Sequence, residues 1–222
     1  VSLEKCGDFG AAVEKAKSNN SIEGAKRIIG YCLKQGISDY QTVVELFLIT
    51  GQQTEAFSTA KQHNIVDFFV GLQDITDPDL ATKVAQYFEG EKQLGKAAYF
   101  CKQAGQYYRA ISLYLEAGEN YYNDAIEIAV STKEQSHIQP VIDYLSKERD
   151  GEAKDPIYIC KLYLSLEKYN EAKEAVLFIA QRDQKNGEYQ KAYDFVSKFI
   201  IAMERRNTFV PNQLRSMFVF VH

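Results

Sequence analysis

The sequence predicts an all-α protein of consecutive antiparallel helical hairpins, and three observations carry that prediction. A short phrase, glycine-x-aromatic-x-x-alanine, recurs where one apolar stripe ends and the next begins. Between its copies, apolar residues return at the helical period. No segment alternates convincingly between apolar and polar residues, and no Asn-Gly hairpin turn joins two such segments.

The order of the phrase has a physical reason. Glycine closes a helix by adopting the left-handed conformation without a Cβ penalty. The aromatic residue falls in the first turn of the next helix and fills the gap against the previous one. Alanine, three residues on, lies on the same face, and its small side chain lets a neighbouring helix approach.

Taken along the chain, Gly7-Asp8-Phe9 leads to Ala12, and a looser copy at Asn20-Ser21-Ile22 leads to Ala25. Asp39-Tyr40 opens a helix with Val43, Val44 and Phe47 inward, and Gly51 precedes Ala56. Asp77-Pro78-Asp79 caps a helix carrying Ala81, Val84, Ala85 and Phe88. Lys92-Gln93-Leu94 leads to Ala97. Gly105-Gln106-Tyr107 leads to Ala110, Leu113, Tyr114 and Ala117, and Asn120-Tyr121-Tyr122 leads to Ala125, Ile128 and Ala129. Asp155-Pro156 reads as an N-cap followed by proline at the first helical position, with Ile159, Leu162, Tyr163 and Leu166 continuing inward. Glu167-Lys168-Tyr169 leads to Ala172. Gly187-Glu188-Tyr189 leads to Ala192 and a stripe of Tyr189, Tyr193, Val196, Phe199, Ile200 and Met203.

The alanine anchors from Ala97 through Ala110, Ala125 and Ala172 to Ala192 lie 13, 15, 47 and 20 residues apart. A strict tetratricopeptide array has a period of about 34. The prediction is therefore an irregular tetratricopeptide-like α-solenoid, with residues 1–222 forming a single solenoid of about six to seven hairpins. The structural anchors of the repeat are Ala12, Ala56, Ala97, Ala110, Ala125, Ala172 and Ala192.

Composition narrows the function. Hydrophobic residues make up 45% and charged residues 25% of 222, with a net charge of −4, which is ordinary for a soluble protein. The acidic balance argues against a phosphate backbone as partner. At helical spacing the 15 tyrosines read as inter-helix packing, not as platforms for stacking bases. No apolar run approaches the roughly 18 residues of a membrane span, and no secretory signal opens the chain. Val1 in place of Met points to a piece of a longer chain. Cys6, Cys32, Cys101 and Cys160 are too far apart in sequence for a zinc knuckle or a CxxC pair, and read as thiols in a reducing compartment. His63, His137 and His222 sit in no catalytic context.

Three local patterns could mislead. Residues 90–97 spell the phosphate-loop pattern G-x-x-x-x-G-K, but Ala97 stands where a Mg²⁺-binding hydroxyl is required, and helical rather than strand spacing precedes it. Asn19-Asn20-Ser21 matches a glycosylation acceptor, without meaning unless the chain is secreted. Lys15 and Asn19 echo one element of a carboxylate clamp whose other members are absent at matching spacing. No catalytic, cofactor or metal site is predicted.

Several phrases resemble a known family. Residues 154–163 (KDPIYICKLY), 168–172 (KYNEA), 179–182 (IAQR) and 187–194 (GEYQKAYD) are similar to the C-terminal repeats of an intraflagellar transport complex A subunit family that joins WD40 propellers to a tetratricopeptide-like solenoid. Residues 87–92, 101–114, 55–57 and 60–64 fit the same family. The resemblance covers roughly residues 40 to 215 and implies a non-catalytic scaffold. It also implies contact with other complex A subunits through their solenoids, and indirect contact with motors and ciliary membrane cargo. Retrograde transport, cargo entry and a place in the cytoplasm and cilium follow from the same resemblance. A vesicle-coat or membrane-tethering solenoid is the competing reading of the same build.

The end of the chain supplies a candidate interface. Residues 207–222 crowd apolar side chains, among them Phe209, Leu214, Met217, Phe218 and Phe220. Such a segment is expected to be covered by the next repeat, since an uncapped solenoid end exposes its core.

Overall fold

A computed structural model describes residues 9–19, 21–35, 39–72, 75–146, 156–205, 210 and 212–216. Every regular element among them is helical, and they form two compact units, Val1–Leu113 and Tyr114–His222.

The first unit contains α1 (Phe9–Ser18), α2 (Ile22–Gln35), α3 (Tyr40–Ile49), α4 (Gln53–Gln62), a 3-10 turn (Val66–Gly71), α5 (Pro78–Gly90) and α6 (Leu94–Gln103). The unit boundary falls within α7 (Tyr107–Ala117). Asp39 caps α3 by accepting from the Thr42 amide, and Asp77 caps α5 by accepting from the amides of Asp79 and Leu80. Proline at the start of α5 supplies a fixed φ where no amide hydrogen is needed. The inward faces bury Val43, Val44, Leu46, Phe69, Leu80, Phe88 and Phe100. Ala81 and Ala85 on α5 and Ala97 and Ala98 on α6 are all fully buried, which lets these two helices close together. Phe88 and Phe100 stack across that contact with centroids 5.7 Å apart.

The second unit contains a 3-10 turn (Glu119–Tyr121), α8 (Tyr122–Thr132), α9 (Gln135–Ser146), α10 (Ile157–Ser165), α11 (Tyr169–Lys185), α12 (Tyr189–Arg205) and the short α13 (Asn212–Ser216). Tyr122 meets Tyr144 and Tyr158 edge-on at 5.8 and 5.2 Å, which joins α8 to α9 and α10. α11 packs against both α10 and α12. Their core gathers Val176, Ile179, Val196, Phe199 and Met203, with Val210 and Leu214.

One turn is used repeatedly. Gly51, Lys92, Gly105, Glu167 and Gly187 all take positive φ, between 59° and 77°. In each case the next residue donates its amide to the carbonyl five positions back. The distances are 2.9 Å for Gln52 to Phe47, Gln93 to Phe88, Gln106 to Cys101 and Lys168 to Tyr163, and 2.8 Å for Glu188 to Asp183. This is the Schellman closure. The carbonyl of that same residue then accepts from Ala56, Ala97, Ala110, Ala172 or Ala192, opening the next helix. A single residue thus ends one helix and starts the next. A Cβ added at Gly51, Gly105 or Gly187 would meet nothing within 4 Å, so glycine serves there for its φ and not for space.

Three expectations are corrected. In α1 the inward residues are Val13 and Ala16, and Ala12 is only half-buried on the flank of that stripe. Helix α10 begins at Ile157 with Pro156 just before it, and the expected cap Asp155 lies outside the described residues. Tyr189, assigned to the α12 stripe, is 56% exposed, because it opens the helix away from the core.

Candidate protein-interaction surface

The alanine anchors are part of the packing. Ala56, Ala97, Ala110, Ala125 and Ala172 have no exposed surface and Ala192 is 2% exposed, while Ala12 is half-buried as described. Of the apolar end, Leu214 is fully buried in the second unit's core, so it is not available as a contact residue. Phe209, Met217, Phe218 and Phe220 lie outside the described residues.

The phosphate-loop-like stretch is a turn between helices. Gly90 ends α5, Lys92 takes the left-handed conformation and Ala97 is buried. Lys96 pairs with Asp67 at 2.5 Å and lies 5.2 Å from the centre of the Phe88 ring. Its ammonium is thus engaged on the protein, and no strand aims a helix N-terminus at a ligand there.

The cysteines behave as apolar side chains. Cys32, Cys101 and Cys160 are free and buried. Burial raises the pKa of each, and pushes Cys160 up to about 12. Burial, followed by the hydrogen bond with Tyr144, likewise raises Tyr122 to about 12. A thiol held protonated is a poor nucleophile and a poor metal ligand. Among the described residues no group of three or more His, Cys, Asp and Glu could hold a metal ion. No described helix is long and apolar enough to cross a membrane.

What remains is surface, and one part of it is concave. A groove of about 660 Å³ runs over α11 between α10 and α12. Its floor is apolar, with Ile157 and Leu164 from α10, Ile179 from α11, and Phe195, Phe199 and Ala202 from α12. Ile179 and Phe199 are buried in the core, whereas Ile157, Leu164, Phe195 and Ala202 keep part of their surface open. Asp183, the one buried charge among the described residues, sits at the floor and accepts from Arg182 Nε and Nη2 at 2.9 and 2.8 Å. The rim carries Lys161, Lys191 and Lys198, all exposed.

The inward stripe of α12 does not reveal this groove, which uses a neighbouring face bearing Lys191, Phe195, Lys198 and Ala202. A large aromatic between two lysines at helical spacing was the available signal.

The molecule therefore belongs to the class of all-α proteins built from consecutive helical hairpins. No family model matches the chain. Over 95% of its length it is similar to WD repeat-containing protein 19 of Homo sapiens and of Mus musculus, at 31% identity to each. WD repeat-containing protein dyf-2 of Caenorhabditis elegans is 26% identical over 99% of the chain. The chain is thus a homologue of one segment of the WD repeat-containing protein 19 family, and spans 16% of the length of these relatives. Among solved structures, BtubC (BKLC) from P. vanneervenii aligns over 91% of this chain and 94% of its own at 15% identity. The TM-score is 0.26, too low to carry an argument.

Proposed function

We propose that this chain is a non-catalytic scaffold segment of a ciliary transport protein, presenting helix faces to other subunits of intraflagellar transport complex A. In this reading it serves retrograde transport and cargo entry, and meets motors and membrane cargo only through those subunits. It works in the cytoplasm and in the cilium and its base. The observation that carries the reading is the 31% identity to WD repeat-containing protein 19 across nearly the whole chain. The fold supports it, because buried thiols, an engaged Lys96 and an apolar groove suit recognition better than bond making. The test is affinity capture from ciliated-cell extract with the immobilised 222-residue chain, read by mass spectrometry. Recovery of intraflagellar transport complex A subunits is expected. Recovery of vesicle-coat or tethering subunits, with none from the ciliary complex, would replace this reading with the coat-like one.

A further inference from the structure

We propose that the α10–α11–α12 groove is a docking slot for an amphipathic helix of another protein, about three turns long, whose apolar face is flanked by acidic residues. The inference rests on the scaffold reading and names a surface for it.

The groove's walls are helices, whose backbone donors and acceptors are spent on their own ladders. It therefore presents side chains alone and cannot take up an extended strand by backbone pairing. The lining from Gln190 to Ala202 follows one face of α12 for 12 residue steps, about 18 Å at 1.5 Å per residue. That length matches three helical turns. An apolar strip bounded by polar side chains on both walls is the complement of an amphipathic helix.

Charge selects among such helices. The lining carries four cations (Lys161, Arg182, Lys191, Lys198) against two carboxylates (Asp183, Asp194), in a chain whose net charge is −4. Arg182 is held by Asp183, and Lys191 pairs with Glu188 at 3.2 Å. Lys161 donates to Asn123 at 3.3 Å and lies 5.0 Å from the centre of the Tyr158 ring, contacts that bring no carboxylate to its charge. Lys198 has no hydrogen bond or ion pair among the described residues. Two ammonium groups without a carboxylate partner among the described residues thus stand one on each wall, Lys161 on α10 and Lys198 on α12. A partner with glutamates on both flanks of an apolar face would meet both, and a basic helix would be repelled.

The test uses the whole 222-residue chain and a fluorescein-labelled 14-residue peptide locked helical by a side-chain lactam. The peptide carries leucine at i, i+3, i+4 and i+7 and glutamate on both flanks, and binding is read by anisotropy. Saturable micromolar binding is expected. The double variant Lys161→Glu/Lys198→Glu, which changes two exposed side chains, should weaken it at least about tenfold. A peptide with lysine replacing glutamate should bind the double variant and not the original chain. A photoreactive group on the peptide's apolar face should label Leu164 or Phe195. No saturable binding up to about 1 mM, binding indifferent to both charge reversals, or labelling outside the groove would each overturn the proposal. So would sedimentation of the free chain as a dimer that the double variant dissociates, since a second copy would then be the occupant. Capture of ciliary subunits that the double variant leaves unchanged would sink the groove and spare the scaffold reading. Peptide binding without capture of those subunits would do the reverse.

Discussion

The α5–α6 hairpin and the α10–α12 trio are made with the same turn and end differently. α5 and α6 are of similar length, 13 and 10 residues, and meet through four fully buried alanines and the stacked rings of Phe88 and Phe100. In the second region α11 and α12 have 17 residues each and α10 only 9. At 1.5 Å per residue α10 is about 12 Å shorter than the helices it serves. Across the groove from it, Phe195 and Ala202 keep surface open, and lysines gather at the edge. The turn fixes how neighbouring helices follow each other. Helix length and side-chain size then decide whether their outer faces close into core or remain as a slot.

Truncating one phenylalanine in each region should separate the two most widely. Phe100→Ala removes a fully buried ring and should cost about 3–5 kcal/mol, the range for such cavities. Phe195→Ala removes a half-buried ring at the groove and should cost about 1 kcal/mol. Chemical denaturation monitored by circular dichroism measures both. Equal costs would mean that the groove is core, and the distinction between the two regions would fall.

The turns themselves give a smaller, sharper contrast. Gly105 and Glu167 hold the same left-handed conformation, at φ of 73° and 60°. Gly105→Ala should cost about 1 kcal/mol, because the added Cβ meets no neighbour and only the backbone preference is lost. Glu167→Gly should stabilise the second unit by a few tenths of a kcal/mol to about 1 kcal/mol, the unfolded chain's extra entropy offsetting part of the relief. The same denaturation curves report both signs. Destabilisation by Glu167→Gly would mean that its side chain does more than occupy the turn.

These contrasts also explain what could be read from the sequence. The turn is legible because its hydrogen bonds span only six residues and glycine marks its φ demand at Gly51, Gly105 and Gly187; where Lys92 or Glu167 holds that φ, the following Leu94–Ala97 or Tyr169–Ala172 pair carries the signal. Helix α9 is not legible in this way, since no copy of the phrase falls between Ala125 and Ala172 and Pro140 sits inside the helix. Ala12 lies one position off the inward stripe of Val13 and Ala16, a difference the repeat phrase alone does not carry. The groove depends on packing between residues up to about 45 apart, and its local trace in the sequence is no more than Phe195 set between Lys191 and Lys198.

Hydrogen exchange of the 222-residue chain with and without the acidic helical peptide tests the central contrast most directly. Added protection is expected only in peptides covering residues 157–165, 179–183 and 189–202, with α5 and α6 unchanged. Protection spread over α5 and α6, or none in α10 and α12 at saturating peptide, would contradict the division into a closed hairpin and an open docking slot.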